Sequence, residues 1–442
     1  MRAFELSSGG QNWHIKTTDK GYQRMKHRSQ ITSLLSSRNL QKVFREGSAV
    51  AGLIALSATL GCSGAEGSGD GSTQLGTQTE QLVYKPGNPQ PLEWKAWSVV
   101  GAPSTAIGEA AICTPHAPHS WVMFTRDTSN FIQGQSNLGG NPSVWAKYGS
   151  TVNPRKLGGR PACGFVSEAG SPFPFILVAK GANAPDGSPD KRLFWSKGNW
   201  TANTSWPPPS AVTAFAALDN TQYSTNGNPA VAAYNGQLVV VYLDDNGQLR
   251  GNYWTGSGFS GTLIHPALPT GWTGVGTPTI AYAENWAQKF VIFVRVKNAA
   301  GTVFKLYETF FDTNHFAAAY GGSTGVYQAV TLPPGAPVIS SDPAYEYDRN
   351  DVDGFEAGTL YYRSGTKIYQ MSASNAVDQF NTSTFKAVLR PDGTWPSASG
   401  NPVVNGGTQN EAGSHWVLVR GGTGGNTLYM AESYQDSTLN PN

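Results

Sequence analysis

Charged residues, cysteines and sustained helical patterns are all scarce in this sequence. Only 14% of the 442 residues are charged, and three are cysteines. No segment after residue 62 repeats its apolar residues with a helical period. Glycine (52 residues) and proline (28 residues) exceed average usage, and aromatic residues make up 11% of the chain, well above the level of a disordered protein. The composition therefore predicts an all-β protein with a packed core.

The sequence also lacks several motifs that mark catalytic or cofactor sites. It contains no H-E-x-x-H and no C-x-x-C motif, and no Gly-Lys pair from which a phosphate-binding loop could be built. His116 and His119 share a proline-bearing loop that offers no third metal ligand. We therefore predict no metal, no cofactor and no catalytic residue.

A Gly-x-Pro-Ala-like opening recurs six times along the chain. The openings begin at Gly108, Gly159, Gly227, Gly276, Ser341 and Gly400. Each opening begins a first strand and leads into an apolar second strand, and an apolar and aromatic third strand follows. Repetition at a period of roughly 50–70 residues, with four strands per unit, is typical of propeller blades. The alternative is a β-sandwich with turns at similar spacing.

The unit that begins at Gly227 shows the pattern most clearly. Its VVV run at 239–241 predicts a strand covered on both faces, so each sheet needs a similar sheet on either side. We predict a six-bladed β-propeller over residues 82–442, with seven blades as an alternative. The last unit lacks a fourth strand, and residues 92–100 have strand character without a blade of their own. We therefore expect residues 92–100 to close the ring beside residues 427–433.

The segment 1–61 has the composition of a leader. Residues 1–47 hold nine basic and three acidic residues, and the apolar run at 48–60 has the length of a signal-peptide core. The Gly61-Cys62 pair that follows resembles the lipobox of bacterial lipoproteins, with Thr59 where that family usually has an aliphatic residue. The resemblance implies lipidation of Cys62 and anchoring in the outer membrane or at the cell surface. Ordinary secretory cleavage, giving a periplasmic or secreted protein, and a buried strand are the alternatives.

Residues 62–81 are small or polar and predict a flexible tether. Without residues 1–61 the chain keeps 22 basic and 26 acidic residues, a net charge of −4. This charge argues against nucleic acid as a partner.

The two remaining cysteines occupy nearly equivalent places in adjacent units. Cys113 lies five residues after the first opening and Cys163 four residues after the second. First strands of neighbouring blades converge on a propeller axis, so these positions predict a disulfide in an oxidising compartment. Two buried free thiols are the alternative.

A cation recurs near the end of the second strand of the units. These cations are Arg126, Lys180, Arg295, Arg363 and Arg420, and Asp244 is the nearest counterpart in the unit that begins at Gly227. Two glutamates follow on the next strand, Glu308 and Glu432, with aromatic residues nearby, among them Trp254, Tyr307 and Tyr429. A guanidinium and a carboxylate can bind vicinal hydroxyls while an aromatic ring covers the apolar face of a sugar. Alternatively, the cations pair with a neighbouring blade and the aromatic rings pack between blades.

In the order of these residues along each unit, 291–311, 416–434 and 237–259 resemble the repeats of fucose-binding propeller lectins. The shared pattern is an apolar strand ending in Arg, a tight turn, and a strand carrying Glu. The resemblance implies sugar sites formed by Arg295 with Glu308 and by Arg420 with Glu432, and fucosylated glycans as partners.

We accordingly predict a lipid-anchored propeller that binds carbohydrate without transforming it. A glycosidase-type propeller and a protein-interaction scaffold are the alternatives. One further cluster, an acidic stretch, is either a calcium loop or, in our preferred interpretation, a solvated insertion. Its members are Glu346, Asp348, Asp351, Asp353 and Glu356.

Overall fold

The computed structural model describes most of the second half of the chain and shorter stretches of the first. The described residues are 3–9, 12–18, 98–100, 106–114, 121–138, 141–142, 145–148, 156–166, 173–182, 186, 188, 190–200, 213–218, 227–234, 236–283, 289–312, 327–349, 356–374, 385–388, 397–404, 416–422 and 427–432. They form strands and turns. No helix that is long and apolar enough to cross a membrane occurs among them.

The chain divides into two units, Met1–Gln81 and Leu82–Asn442. In the first unit, β1 (Ala3–Gly9) and β2 (Asn12–Thr18) pair as an antiparallel hairpin, within the segment that the sequence assigns to a leader. The apolar run at 48–60, Cys62 and the tether lie outside the described residues.

The described residues of the second unit form six antiparallel sheets, which we number as blades 1–6 in chain order. Blade 1 is formed by β4 (Ala106–Cys113), β5 (Trp121–Asp127), β6 (Ile132–Leu138), β7 (Asn141–Pro142) and β8 (Ala146–Lys147). Blade 2 is formed by β9 (Leu157–Phe165), β10 (Phe173–Gly181), β11 (Leu193–Trp200) and β12 (Ala216–Ala217). Blade 3 is formed by β13 (Ala230–Tyr234), β14 (Gln237–Leu243), β15 (Leu249–Tyr253) and β16 (Leu263–Ile264).

The strands of blades 4–6 are given in the same way, and in blade 4 both β17 and β18 pair with β19. Blade 4 is formed by β17 (Trp272–Gly274), β18 (Thr279–Ala283), β19 (Lys289–Asn298), β20 (Phe304–Asp312) and β21 (Gln328–Ala329). Blade 5 is formed by β22 (Ala344–Arg349), β23 (Glu356–Ser364), β24 (Lys367–Ser374) and β25 (Phe385–Ala387). Blade 6 is formed by β26 (Val403–Val404), β27 (Trp416–Gly421), β28 (Thr427–Glu432) and β3 (Ser98–Val100).

The blades surround a common axis, which confirms the six-bladed β-propeller. The inner strands touch one another in the cyclic order β4, β9, β13, β18, β22, β26 and back to β4. All six line a cavity of ≈ 50 Å³, which holds a few water molecules at most. Six apolar clusters of buried residues lie between successive blades, the sixth between blades 6 and 1.

Each sheet is buried on both faces, as the VVV run predicts. Val239 and Val241 pack against blade 4, whereas Val240, between them, packs against blade 2. This follows from the alternation of side chains along a strand. Burial from both sides therefore allows the run to be continuously apolar.

The ring is closed by an N-terminal strand at the predicted place. β3 pairs antiparallel with β28, with Val100 opposite Leu428 and Ser98 opposite Met430. Val100 is buried between blades 6 and 1. Residues 92–97 of the predicted closing segment lie outside the described residues.

A disulfide joins the inner strands of blades 1 and 2. Cys113 on β4 is bonded to Cys163 on β9, with a Cα–Cα distance of 5.9 Å. Both cysteines are buried in the cluster between the two blades. The bond therefore lies at the core of the ring.

Candidate functional site

The strand-end cations occupy one equivalent position in the blades. In each blade, the third residue after the opening residue pairs with a second-strand residue, as Ala111 does with Phe124 and Thr279 with Phe293. The position two residues further along that second strand faces the next blade. It holds Arg126, Lys180, Leu243, Arg295, Arg363 and Arg420 in blades 1–6 respectively.

Blade 3 is therefore the exception, and the counterpart predicted from sequence is one residue off. Leu243, not Asp244, stands at the cation position. Asp244 is 3% exposed, and its carboxylate accepts from the backbone of Asn246 and Gln248 and forms an ion pair with Arg250 (2.7 Å). It shapes the turn between β14 and β15 and leaves no cation facing blade 4 from this position.

A ring of polar contacts runs around the axis at the same end of the propeller. Its members directly follow the opening residues, and we call them the axial ring: Glu109, Arg160, Asn228, Thr277, Asp342 and Asn401. Every member contacts the next. The contacts are Arg160 N to Asn228 Oδ1 (2.9 Å), Asn228 Nδ2 to Thr277 Oγ1 (3.3 Å), Thr277 N to Asp342 Oδ2 (2.8 Å), Asp342 N to Asn401 Oδ1 (3.0 Å), Asn401 N to Glu109 Oε1 (3.0 Å) and an ion pair of Glu109 with Arg160 (3.8 Å).

Two of the strand-end cations reach across to the opening of the next blade. Arg295 Nη1 lies 3.6 Å from Asp342 Oδ1. Arg363 Nε donates to the carbonyl oxygen of Gly400 (3.0 Å). These contacts match the alternative interpretation of the pattern, in which the cation pairs with a neighbouring blade.

Arg295 also lies against an aromatic ring that solvent can reach. Its Cζ is 5.1 Å from the ring centroid of Phe304, and Phe304 is 45% exposed. At the junction of blades 4 and 5, a guanidinium is thus placed between an exposed aromatic face and the carboxylate of Asp342. Burial raises the pKa of Asp342, and the positive charge of Arg295 opposes that rise.

Glu308, the carboxylate that the sequence assigns to Arg295, lies on the same face of blade 4. Arg295 is opposite Leu306, so Glu308 is its diagonal neighbour, about 7–8 Å away at the backbone. Glu308 is only 8% exposed. The pKa of Tyr345 of blade 5 is raised, first by the burial of Tyr345 and then by the negative charge of Glu308. The structure therefore brings the predicted pair to one junction, with Glu308 deeper than Arg295.

Tyr307 points to the other side of the same strand. It packs in the cluster between blades 3 and 4, with its ring 6.0 Å from Trp272 and 6.4 Å from Tyr327. Because successive side chains of a strand face opposite ways, Tyr307 cannot cover a sugar held by Arg295. Phe304 has the position that the sequence interpretation gave to Tyr307.

The second predicted pair is not brought together. Arg420 is opposite Leu428, and Glu432 is four residues further along β28, about 13 Å away along the strand. Tyr429 is opposite Val419 and packs toward blade 5, on the face away from Arg420. These three residues do not form one site.

Trp254 belongs to an aromatic cluster between blades 2 and 3. It is 7% exposed, and its ring contacts those of Trp195 (5.2 Å) and Phe259 (5.3 Å) edge to face. Lys197 Nζ lies 5.9 Å from its centroid. Its ring is thus used for packing between blades.

The acidic stretch is not a solvated insertion throughout. Glu346 is 3% exposed on β22, where its carboxylate accepts a hydrogen bond from the hydroxyl of Tyr361 (2.5 Å). Asp351 and Asp353, like His116 and His119, lie outside the described residues. Among the residues that are described, no three His, Cys, Asp or Glu side chains are grouped to hold a metal ion.

One pattern associated with catalytic serines does occur in the sequence, Gly-Gly-Ser-Thr-Gly at 321–325. In α/β-hydrolases this pattern joins a strand to a helix. Residues 321–325 lie outside the described residues, and the following segment, 327–349, contains β21 and the start of blade 5 but no helix. The context of a nucleophile elbow is therefore missing.

Two open pockets lie at equivalent junctions near the axial ring. One, of ≈ 350 Å³, has Arg126 of blade 1 and Lys180 of blade 2 in its lining, and we call it the blade 1–2 pocket. The other, of ≈ 230 Å³, has Leu243 of blade 3 and Lys297 of blade 4, and we call it the blade 3–4 pocket.

The most relevant site residues missed by sequence reasoning are Phe304 and Asp342. Asp342 was visible as the second residue of the Ser-Asp-Pro-Ala opening, a position that recurs in all six units. Phe304 begins the third strand of its blade directly after the turn. Its position could have been inferred only with the strand register in hand.

Comparison with solved structures returns lectin propellers. The six-bladed lectin of Aleuria aurantia is 13% identical, with a TM-score of 0.47, and the match covers 75% of this chain and 93% of that one. AofleA from Arthrobotrys oligospora is 13% identical (TM-score 0.45; 77% and 89% covered). The BP39L lectin from Burkholderia pseudomallei is 14% identical (TM-score 0.44; 75% and 83% covered). No protein-family model and no curated protein sequence matches the chain. At such identities and TM-scores, function has to be argued from the residues of the chain itself.

Proposed function

We propose that this propeller binds carbohydrate without transforming it, at the junction of blades 4 and 5. The observation that carries the proposal is the placement of Arg295 between the exposed ring of Phe304 and the carboxylate of Asp342. A guanidinium donates charge-assisted hydrogen bonds to sugar hydroxyls, and an aromatic face covers the apolar side of the ring. The resemblance of the blade repeats to fucose-binding lectins makes fucosylated glycans the first ligands to test.

The carboxylates at this junction favour binding over hydrolysis. A glycosidase needs two carboxyl groups that reach the scissile bond from either side. Asp342 is 7% exposed and already accepts from the backbone of Thr277 and the side chain of Asn401. Glu308 is 8% exposed and lies deeper on the same face of blade 4.

The test is a glycan array probed with the full chain, followed by affinity measurements on variants. Arg295→Ala should weaken binding by about 1.5–3 kcal/mol, the usual contribution of hydrogen bonds from a charged group. Phe304→Ala should weaken it as well. The matched control is Lys305→Ala, because Lys305 projects from the opposite face of β20, where its Nζ lies 5.0 Å from the Trp272 ring centroid.

Failure of the folded chain to bind any glycan on the array would remove the proposal. Equal losses in Arg295→Ala and Lys305→Ala would move the site elsewhere. Cleavage of a bound glycan would favour the glycosidase alternative. Capture of proteins with no glycan bound would favour the scaffold.

We further propose that the propeller is displayed from the cell envelope by a lipid at Cys62. The support is the short apolar run that ends in Gly61-Cys62 and the polar tether after it. Metabolic labelling with a fatty acid should mark the wild-type protein and not Cys62→Ser. Labelling of both proteins would refute the anchor, and labelling of neither would point to ordinary secretory cleavage.

A further inference from the structure

The blade 1–2 pocket is lined by cations and amides. Arg126 and Lys180 supply positive charge, and Asn130 and Asn228 supply amide groups. Glycines, among them Gly159 and Gly181, complete the described lining, which contains no acidic residue. Its chemistry is thus that of an anion site.

Arg126 is held in place before any ligand arrives. Its Nη1 donates to Asn130 Oδ1 (2.6 Å), and Asn130 adopts a left-handed backbone conformation (φ 68°) in the turn after β5. Its Nε is buried without a hydrogen-bond partner. The contact with the Asn130 amide therefore fixes the guanidinium at the pocket without neutralising its charge.

The carboxylates near the pocket are already neutralised or bonded. Asp127 accepts from the backbone of Ser129 and Phe131. Asp190, which lies against Gly181, binds Arg192 through both oxygens (2.8 Å each). Asp127 raises the pKa of Arg126 and Asp190 raises that of Lys180, but neither effect offsets the lowering by burial and by neighbouring cations.

A neighbouring cation from outside the pocket lining acts on each of the two pocket cations. Burial lowers the pKa of Arg126, and the positive charge of Arg420 lowers it further. Burial also lowers the pKa of Lys180, Lys191 adds to that effect, and Asp245 and Asp190 oppose it. A bound anion would relieve both the desolvation and the repulsion.

The blade 3–4 pocket provides a natural comparison inside the same molecule. It sits at the equivalent junction but has Leu243 at the position of Arg126. Its described lining includes two carboxylates, Asp244 and Asp245, and one cation, Lys297. The positive lining of the blade 1–2 pocket is therefore not imposed by the fold.

We propose that the blade 1–2 pocket binds an oxyanion carried by a glycan, as a sulfate ester, a phosphate ester or a carboxylate. Arg126 contacts the oxyanion, Lys180 adds positive charge to the same lining, and the volume of ≈ 350 Å³ leaves room for part of the sugar that carries it. The sugar half of this inference rests on the carbohydrate binding proposed above. The oxyanion half rests on the pocket alone.

The test is calorimetric titration of the full chain with four oligosaccharides. They are a sulfated heparin hexasaccharide, its desulfated counterpart that keeps the carboxylates, a phosphorylated mannohexaose and neutral maltohexaose. We expect at least one anionic probe to bind, with an affinity that falls as salt is raised. Maltohexaose should not compete for the site of that probe. Arg126→Gln and Lys180→Gln should each weaken binding by about tenfold or more, and Arg126→Lys should restore part of it.

Lys297→Gln, in the blade 3–4 pocket, is the matched loss of one positive charge and should leave the affinity unchanged. Equal effects of Arg126→Gln and Lys297→Gln, or equal binding of neutral and anionic probes, would overturn the inference. Fucosylated glycans that bind through Arg295, with no anionic probe bound, would overturn this inference and leave the proposed function intact. Binding of anionic probes that depends on Arg126 but not on Arg295, together with no binding of neutral glycans on the array, would overturn the proposed function and leave this inference intact.

Discussion

Replacing Val100 by Asp should open the propeller at its closing seam. Val100 is the inward-facing residue of β3, 7% exposed in the cluster between blades 6 and 1. Its neighbour Val99 is on the same strand but is 62% exposed. The two valines therefore have the same sequence context and opposite burial, so Val99→Asp is a matched control.

The magnitude follows from what each valine touches. Burial of a valine side chain contributes about 1.5–3 kcal/mol, all of which Val100→Asp gives up. Placing a polar group in that apolar cluster costs about 1–3 kcal/mol more. We therefore expect Val100→Asp to lower the free energy of unfolding by about 3–5 kcal/mol. Val99→Asp should cost at most about 1 kcal/mol, the span of strand propensity.

Urea unfolding followed by tryptophan fluorescence measures both changes. In thermal unfolding, the same loss of about 3–5 kcal/mol in the free energy of unfolding corresponds, for about 330 residues from β3 to β28, to a fall in Tm of about 5 °C. If the two variants are equally stable, β3 does not close the ring through Val100. If Val99→Asp is the more damaging change, the strand is packed the other way round, and the register with β28 is wrong.

Three further changes test the inner part of the ring. Cys113→Ala with Cys163→Ala removes a crosslink between residues 50 apart and should lower the free energy of unfolding by about 4 kcal/mol through loop entropy. Urea unfolding of the oxidised protein measures the change, and a loss below about 1 kcal/mol would contradict a stabilising bond. Gly276→Ala should cost at least about 2 kcal/mol more than Gly335→Ala, since both have positive φ but only at Gly276 would a Cβ overlap Asp342; equal losses would mean that the ring shifts freely. The folded-state pKa of Asp342 is raised, so Asp342 contributes stability that is present at low pH and is lost as pH rises through the raised value. The stability of wild type relative to Asp342→Asn should therefore fall as pH rises through that value. A difference independent of pH would contradict the shift.

The architecture could be predicted because a propeller repeats its landmarks at short range. The openings, the apolar second strands and the VVV run are each properties of a few neighbouring residues. Continuous apolar strands also imply neighbours on both faces, whatever those neighbours are. Ring closure by an N-terminal strand then followed from counting, because one unit lacked a strand and one strand lacked a unit.

The site could not be predicted to the same depth because it depends on strand register. Glu308 follows Arg295, and Glu432 follows Arg420, at nearly the same distance along the chain, so the sequence treats the two pairs alike. Arg295 is opposite Leu306, two residues before its glutamate, whereas Arg420 is opposite Leu428, four residues before its own. The tighter connection in blade 6 moves Glu432 away from its arginine, while Glu308 stays diagonal to Arg295.

The recurring opening acquires a physical meaning once the axial ring is seen. At Gly159 the backbone has positive φ, and a Cβ there would overlap the Asn228 side chain that accepts from the next amide of the chain. The glycine thus admits a side chain from the following blade, and the residue after it extends a side chain to the preceding one. Where that residue is Thr277, its shorter side chain accepts from an amide side chain instead of from the backbone. The Gly-x pair is therefore a device that links blade to blade. Its repetition in the sequence marks the contacts between successive blades around the axis. The charges of residue x and of the strand-end residue beside it differ from one junction to the next.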